Sequence, residues 1–112
     1  MITKEQDKEL TRLHSQIIRL LYPRCILCRC PLTEPHHIVG RSKSVKWLIV
    51  GSVGLCRPCH NHTSAMHKAV KEWYVNKFSL EAYEDLEQLR RRVVYNVDYG
   101  EIKQKLVEFK ER

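Results

Sequence analysis

The chain has no apolar run approaching the roughly 18–20 residues that cross a bilayer. Its opening, MITKEQDKEL, is too charged for a secretory signal. The expectation is therefore a soluble intracellular protein. Aromatic residues make up only 8% of 112, and mean hydropathy is -0.45. One small domain over residues 1–112 would thus have modest apolar material for building a core unaided. Internal repeats, low-complexity tracts and linkers are missing. A local shortage says more. From Pro35 to Lys71 there is no aspartate or glutamate, while Arg41, Lys43, Lys46, Arg57, Lys68 and Lys71 all fall in that stretch. The remainder holds 14 basic against 13 acidic residues, so nearly all of the net charge of +7 belongs to the central third. That concentration points to an anionic partner, nucleic acid first.

Five cysteines in a small chain without a secretory route favour metal over disulfides. Cys25-Ile-Leu-Cys28 and Cys56-Arg-Pro-Cys59 are two CxxC pairs. Each such turn sets two thiolates on one side of a bend, and two turns complete a tetrahedral Zn2+ site at about 2.3 Å per bond. A redox CxxC belongs beside a βαβ pattern that is missing here. Cys30 is left over, either as a substitute ligand for Cys28 or as a free thiol. Zinc bound at Cys25, Cys28, Cys56 and Cys59 would hold the segment between the pairs and contribute folding free energy outright.

Helical periodicity frames this centre. Residues 3–21 read as an amphipathic helix capped by Thr3 with Gln6 three positions on, and Pro23 ends it. The cysteine- and proline-rich segment 24–35 reads as a tight knuckle. His36 to Val39 is a short strand stopped by Gly40, followed by a basic loop over Gly40 to Lys46. Trp47 to Val50 is apolar and β-branched, and Val53 to Leu55 pairs back on His36 to Val39. Helices follow from Cys59 to about Lys77, over roughly 80–95 with Ser79 as cap, and from Asp98 with Glu101 as a second capping pair. The class is α+β: helix, zinc knuckle, β-hairpin, then three helices.

The central stretch also carries His36, His37, His60, His62 and His67. A neutral imidazole is a natural base near pH 7, and two imidazoles can hold a divalent cation. Adjacent strand residues point to opposite faces, so His36 and His37 can act together only if the strand end bends. His60 is anchored by its neighbour Cys59.

The series Cys25xxCys28, His36-His37-Ile38, Trp47 and Leu55-Cys56xxCys59-His60 resembles the zinc-containing HNH endonucleases of the ββα-metal superfamily, phage-encoded versions in particular. The resemblance covers about residues 25–64. It implies a zinc-bound ββα-metal core over 24–64 with helical flanks at 3–21 and 65–112. It further implies a metal-dependent DNA endonuclease that leaves 5′-phosphate and 3′-hydroxyl ends. In it, His37 would be the general base, and His36 and His60 the ligands of one catalytic divalent metal. Arg41, Lys43, Lys46, Arg57 and Lys68 would grip backbone phosphates. A cytoplasmic setting in a bacterium or a phage-infected cell, with DNA as partner, goes with it, and paired nicks would require a homodimer. One departure stands out: where the family has its middle asparagine this chain has Gly51, which leaves open compensation by Ser52 or a DNA-binding module that does not cut. A further ligand position, four residues after the last motif histidine, is Ser64.

Because no carboxylate lies between residues 35 and 71, the catalytic metal would be bound mainly by nitrogen, favouring Mn2+, Co2+ or Ni2+ over Mg2+. The bland expectations are an exposed His14 on the first helix, Trp47 anchoring the core beneath the hairpin, and Trp73, Tyr74, Tyr83 and Tyr95 as packing residues. Arg90, Arg91 and Arg92 read as a solvated helix face, with contact to phosphate as the alternative, and His62 and His67 as surface residues or partners of the ligands rather than ligands. On the spacing along one helix, neither of these two substitutes cleanly for a ligand after His60.

Overall fold

A computed structural model describes residues 2–94 and 96–111, apart from the side chains of Thr63 and Ser64. Tyr95 lies outside the described residues, as does the side chain at the Ser64 ligand position. The first helix, α1 (Lys4–Leu21), opens with a full capping box: Gln6 N–H donates to Thr3 Oγ1, and Thr3 N–H to Gln6 Oε1. The knuckle then folds back on itself, with Cys25 N–H donating to Cys30 O and Arg29 N–H to Cys25 O. Arg29 and Leu32 take positive φ values of 67° and 66° to make these bends, a conformation that costs non-glycine residues on the order of 1 kcal/mol each.

Two strands follow, β1 (Thr33–His37) and β2 (Ser52–Cys56), paired antiparallel with Thr33 opposite Cys56 and His36 opposite Val53. The first strand lies earlier than the expected His36 to Val39. Beyond His37 the backbone turns: Gly40 N–H donates to His37 O, and Gly40 itself has φ +98°, which favours glycine. Ile38 and Val39 are buried past the strand end. Trp47 to Val50 forms no strand but a turn leading into a 3-10 helix, Ile49–Gly51. Its apolar character serves burial from a loop.

After β2 come α2 (Arg57–Asn61), α3 (Thr63–Lys77), α4 (Leu80–Arg91) and α5 (Tyr99–Lys110). Ser79 caps α4 through Ala82 N–H, and Asp98 caps α5 through Glu101 N–H. The helix expected to run unbroken from Cys59 is interrupted at His62, whose φ of -108° and ψ of 35° depart from helical values. The architecture is α+β, with a two-stranded sheet and five helices among the described residues. No described helix is long and apolar enough to cross a membrane.

Burial falls into two clusters. In one, Val53, Leu55, Ile38 and Val39 from the hairpin region pack with Val70 and Tyr74 of α3 and Tyr83 and Leu86 of α4, beside Cys25 and Cys56. In the other, Trp47 joins Leu10 and Ile17 of α1 and Leu106 of α5. Trp47 is an anchor, as expected, but against the terminal helices rather than beneath the hairpin, and its Nε1–H donates to Thr11 Oγ1. Tyr99 adds a hydroxyl bond to Glu9 across the α1–α5 seam.

Gly54, at the middle of β2, lies against the chain leaving α1. A Cβ there would come 2.6 Å from Tyr22 Cβ and 3.0 Å from Thr33 Cβ. These neighbours are held by backbone position, so Gly54→Ala is expected to destabilise the protein by about 1–3 kcal/mol through overpacking, measured as a fall in the thermal unfolding midpoint.

Candidate functional site

Cys25, Cys28, Cys56 and Cys59 converge. Their sulfurs all lie within 4.8 Å of one another, and Cys28 Sγ is 3.3 Å from Cys56 Sγ. All five cysteines are free thiols. A regular tetrahedron with bonds of about 2.3 Å has sulfurs about 3.8 Å apart, so the spacing suits an ion at the centre. The electrostatics agree. Hydrogen bonding, first from the Cys30 backbone and then from Cys56, draws the Cys28 thiol down to about 6. Burial pushes Cys59 up, with contacts to Cys56 and Cys25 acting the same way. Four crowded sulfurs cannot all ionise by themselves, and a dication removes the conflict by deprotonating its ligands. The donor set is therefore one that could hold a metal ion such as zinc. Cys30 is exposed, beside Cys28 but outside the group of four.

The ligand turns position the histidines. Cys59 and His60 are neighbours on α2, and β2 carries Val53 opposite His36. The His36 and His60 rings meet edge to face, with centroids 5.4 Å apart. His60 Nδ1–H donates to Glu34 Oε2 at 3.1 Å, and Glu34 Oε1 also accepts from Arg57 Nε at 2.8 Å. The carboxylate fixes the His60 tautomer and leaves Nε2 as a lone-pair donor, an arrangement common behind metal-binding imidazoles. His36 Nε2 is buried and has no hydrogen-bond partner among the described residues. Burial pushes His36 down to about 4, with His60 and His67 adding to the effect. An orphaned, neutral imidazole nitrogen beside a second one oriented by a carboxylate is a donor pair that fits a divalent cation. Outside the four cysteines, no three described His, Cys, Asp or Glu residues come equally close together.

His37 occupies the other face of the strand end. Its Nε2–H donates to Lys46 O at 3.0 Å, which leaves Nδ1 unprotonated in the neutral ring. Burial, then the nearby His14 and Arg41, push it down to about 4, against the pull of the Lys46 carbonyl. His14 corrects the expectation of a surface residue. It is 1% exposed, its ring stacks on His37 at 5.4 Å and 21°, and its Nε2–H donates to Leu48 O at 3.2 Å. Counted round α1, His14 falls beside Leu10 and Ile17 on the apolar side, and the loop between the strands folds over α1 and covers it. Two imidazoles thus latch carbonyls two residues apart on one loop. Gly51 has no side chain to do so, and its carbonyl accepts from Ile38 N–H. Ser52, the suggested compensator, is buried opposite His37, but its Oγ has no hydrogen-bond partner among the described residues.

His36 and His37 open onto a cleft of about 600 Å³ that also receives Arg41, Ser42, His67, Glu87 and Arg90. His67 reaches it because the chain breaks at His62, so angles counted along one continuous helix do not apply. His62 is exposed. The absence of carboxylates between residues 35 and 71 holds along the chain but not in space, since Glu34 meets His60 and Glu87 lines the cleft. Among the expected phosphate-gripping residues, Arg41, Lys43 and Lys68 are exposed. Lys46 is instead committed to Asp7 at 3.0 Å and lies 5.0 Å from the centre of the Trp47 ring. Arg57 is engaged with Glu34. Comparison with known protein families, curated proteins and solved structures finds no match for the chain.

Two outcomes follow. Metal analysis of the purified protein is expected to give zinc bound by the four cysteines, and chelation is expected to abolish cooperative unfolding, because the metal supplies folding free energy. Burial, only partly offset by the Leu48 carbonyl, lowers the affinity of His14 for a proton. The unfolded chain therefore binds that proton first, and stability is lost as pH falls below the ordinary imidazole value of about 6.5. Thermal unfolding of His14→Gln is expected to show a smaller loss between pH 7 and about 5 than the wild type does, whatever its absolute stability.

Proposed function

We propose that the chain is a metal-dependent DNA endonuclease of the HNH type, with a zinc-tied ββα-metal core. The observation that carries this reading is the pairing of the orphaned His36 Nε2 with a His60 ring oriented by Glu34, next to a His37 whose Nε2–H is held by Lys46 O, with His36 and His37 lining one cleft that also carries Arg41 and Arg90. In this reading His36 and His60 hold one divalent cation, which when bound would stabilise charge on the scissile phosphate and the leaving 3′ oxygen. His37, neutral at physiological pH, accepts a proton from water at Nδ1 while Lys46 O holds the ring in place. A phosphate anion in the cleft offsets the low basicity that burial imposes on it. The exposed Arg41, Lys43 and Lys68 attract the strand. Of the carboxylates near the site, Glu34 is engaged by His60 and Arg57, and Glu87 Oε1 by the Tyr83 hydroxyl. The donor set therefore stays nitrogen-rich and favours Mn2+, Co2+ or Ni2+ over Mg2+.

A second reading, a zinc-stabilised DNA-binding module without catalysis, draws on Gly51 at the asparagine position and on the lack of a third clustered ligand. Plasmid nicking across a panel of divalent ions separates the two. The nuclease reading expects nicking that is strongest with Mn2+, Co2+ or Ni2+, reduced roughly 100-fold or more in His37→Ala with DNA binding retained. Wild-type protein that binds DNA yet nicks none of its forms with any of these ions would establish the binding module.

A further inference from the structure

The histidine cleft has two banks. Gly40, Arg41 and Ser42 of the loop after β1 form one, and His67 of α3 with Glu87 and Arg90 of α4 form the other. The second bank lies outside the segment that carries the zinc ligands and the paired histidines. Arg90 and Arg91 are adjacent in α4, so their side chains leave the helix about 100° apart. Arg90 lines the histidine cleft, while Arg91 lines a separate groove with Lys71, Tyr83 and Glu84.

The local bonding keeps Arg90 available. Glu87 Oε1 accepts from Tyr83 O–H at 3.2 Å, which fixes the carboxylate. Its Oε2 is 3.8 Å from Arg90 Nη1, and the Arg90 side chain is 52% exposed. A contact that long and that wet contributes little, and it leaves most of the guanidinium's five donors free. A planar guanidinium matches two phosphate oxygens at once. Glu87 is the sole carboxylate lining the cleft, and beyond it Arg90 is the charged group of this bank, with His67 as its other polar side chain.

We infer that Arg90 and Arg41 are the two sides of a phosphodiester-binding site straddling the imidazoles, with Arg90 exchanging its long contact to Glu87 for a phosphate of the bound DNA strand. The strand then runs from the loop after β1, over His36 and His37, to the C-terminal end of α4. Glu87 keeps the guanidinium aimed into the cleft before the strand arrives and disfavours weaker anions through its own charge. This inference rests on the DNA-cleaving reading above, and it adds α4 to the substrate surface.

The test uses the full-length zinc-loaded protein and a short fluorescein-labelled DNA duplex, with anisotropy titrations over a series of salt concentrations and no added divalent cation. Arg90→Gln and Arg91→Gln each remove one positive charge from neighbouring exposed positions, and circular dichroism checks that both fold. Arg90→Gln is expected to weaken binding about tenfold and to lower the slope of log affinity against log salt by about one. Arg91→Gln is expected to change affinity by no more than about twofold. Glu87→Gln, whose amide oxygen still accepts from Tyr83, is expected to tighten binding. Equal losses in the two arginine variants, or no loss in Arg90→Gln, would overturn this site and leave the nuclease reading intact. Wild-type protein without salt-sensitive affinity for the duplex would overturn both.

Discussion

The convergence of four sulfurs joins two segments that would otherwise have little reason to meet. The knuckle carrying Cys25 and Cys28 contains two non-glycine residues with positive φ, so its conformation needs an external constraint to persist. The other pair straddles the end of β2 and the first turns of α2. Bringing the pairs together sets β1 beside β2 in a register that places His36 opposite Val53, and it carries His60, next to Cys59, over the same strand. The hairpin is also packed, with Ile38, Val39, Val53 and Leu55 buried against α3 and α4. The position of the imidazoles thus rests on the sulfur cluster on one side and on this packing on the other.

A second constraint acts on the loop between the strands. His37 and His14 hold the carbonyls of Lys46 and Leu48, Lys46 is drawn back to Asp7 of α1, and Trp47 is buried between α1 and α5. Four successive loop residues, 45–48, are thus fixed by burial, by side-chain bonds or by both. The first helix, by sequence a mere flank, forms the floor under His37. Burying two imidazoles there disfavours their charged forms, which keeps His37 neutral and its ring in a single orientation.

Local signals were legible where the physics is local. Thr3, Ser79 and Asp98 announce helix starts because capping involves residues three positions apart, and the CxxC pairs announce metal because ligand geometry is written in the turn. The hairpin was legible in outline, but its first strand begins at Thr33, opposite Cys56, and ends at His37, because the turn at Gly40 takes Ile38 and Val39 out of the pairing. The misses are long-range. Glu34 lies one residue outside the acid-free stretch and meets His60 only through strand pairing and the placement of α2. His14 meets Leu48 across 34 positions. His67, Glu87 and Arg90 share a cleft with His36 only because α3 and α4 pack back on the hairpin. No periodicity or spacing rule reports such meetings.

Charge shows the same gap between chain and space, and here the difference bears on function. Of the six central cations, Lys46 is neutralised by Asp7, Arg57 by Glu34, and Lys71 lies over the Tyr83 ring. Arg57 and Lys71 are nonetheless exposed, as are Arg41, Lys43 and Lys68, and α4 adds Arg90 to the cleft from outside the basic stretch. The field at the cleft thus comes from fewer cations than composition suggests, and they are more sharply placed. In the proposed reading the centre of that field is two imidazoles held neutral by burial, so the site is least satisfied when empty. A cation held by His36 and His60 would give His36 Nε2 an electrostatic partner and raise the attraction for phosphate, and a phosphate would raise the attraction for the cation. Each ligand therefore strengthens the other by the same factor, a coupling that follows from what the site lacks on its own.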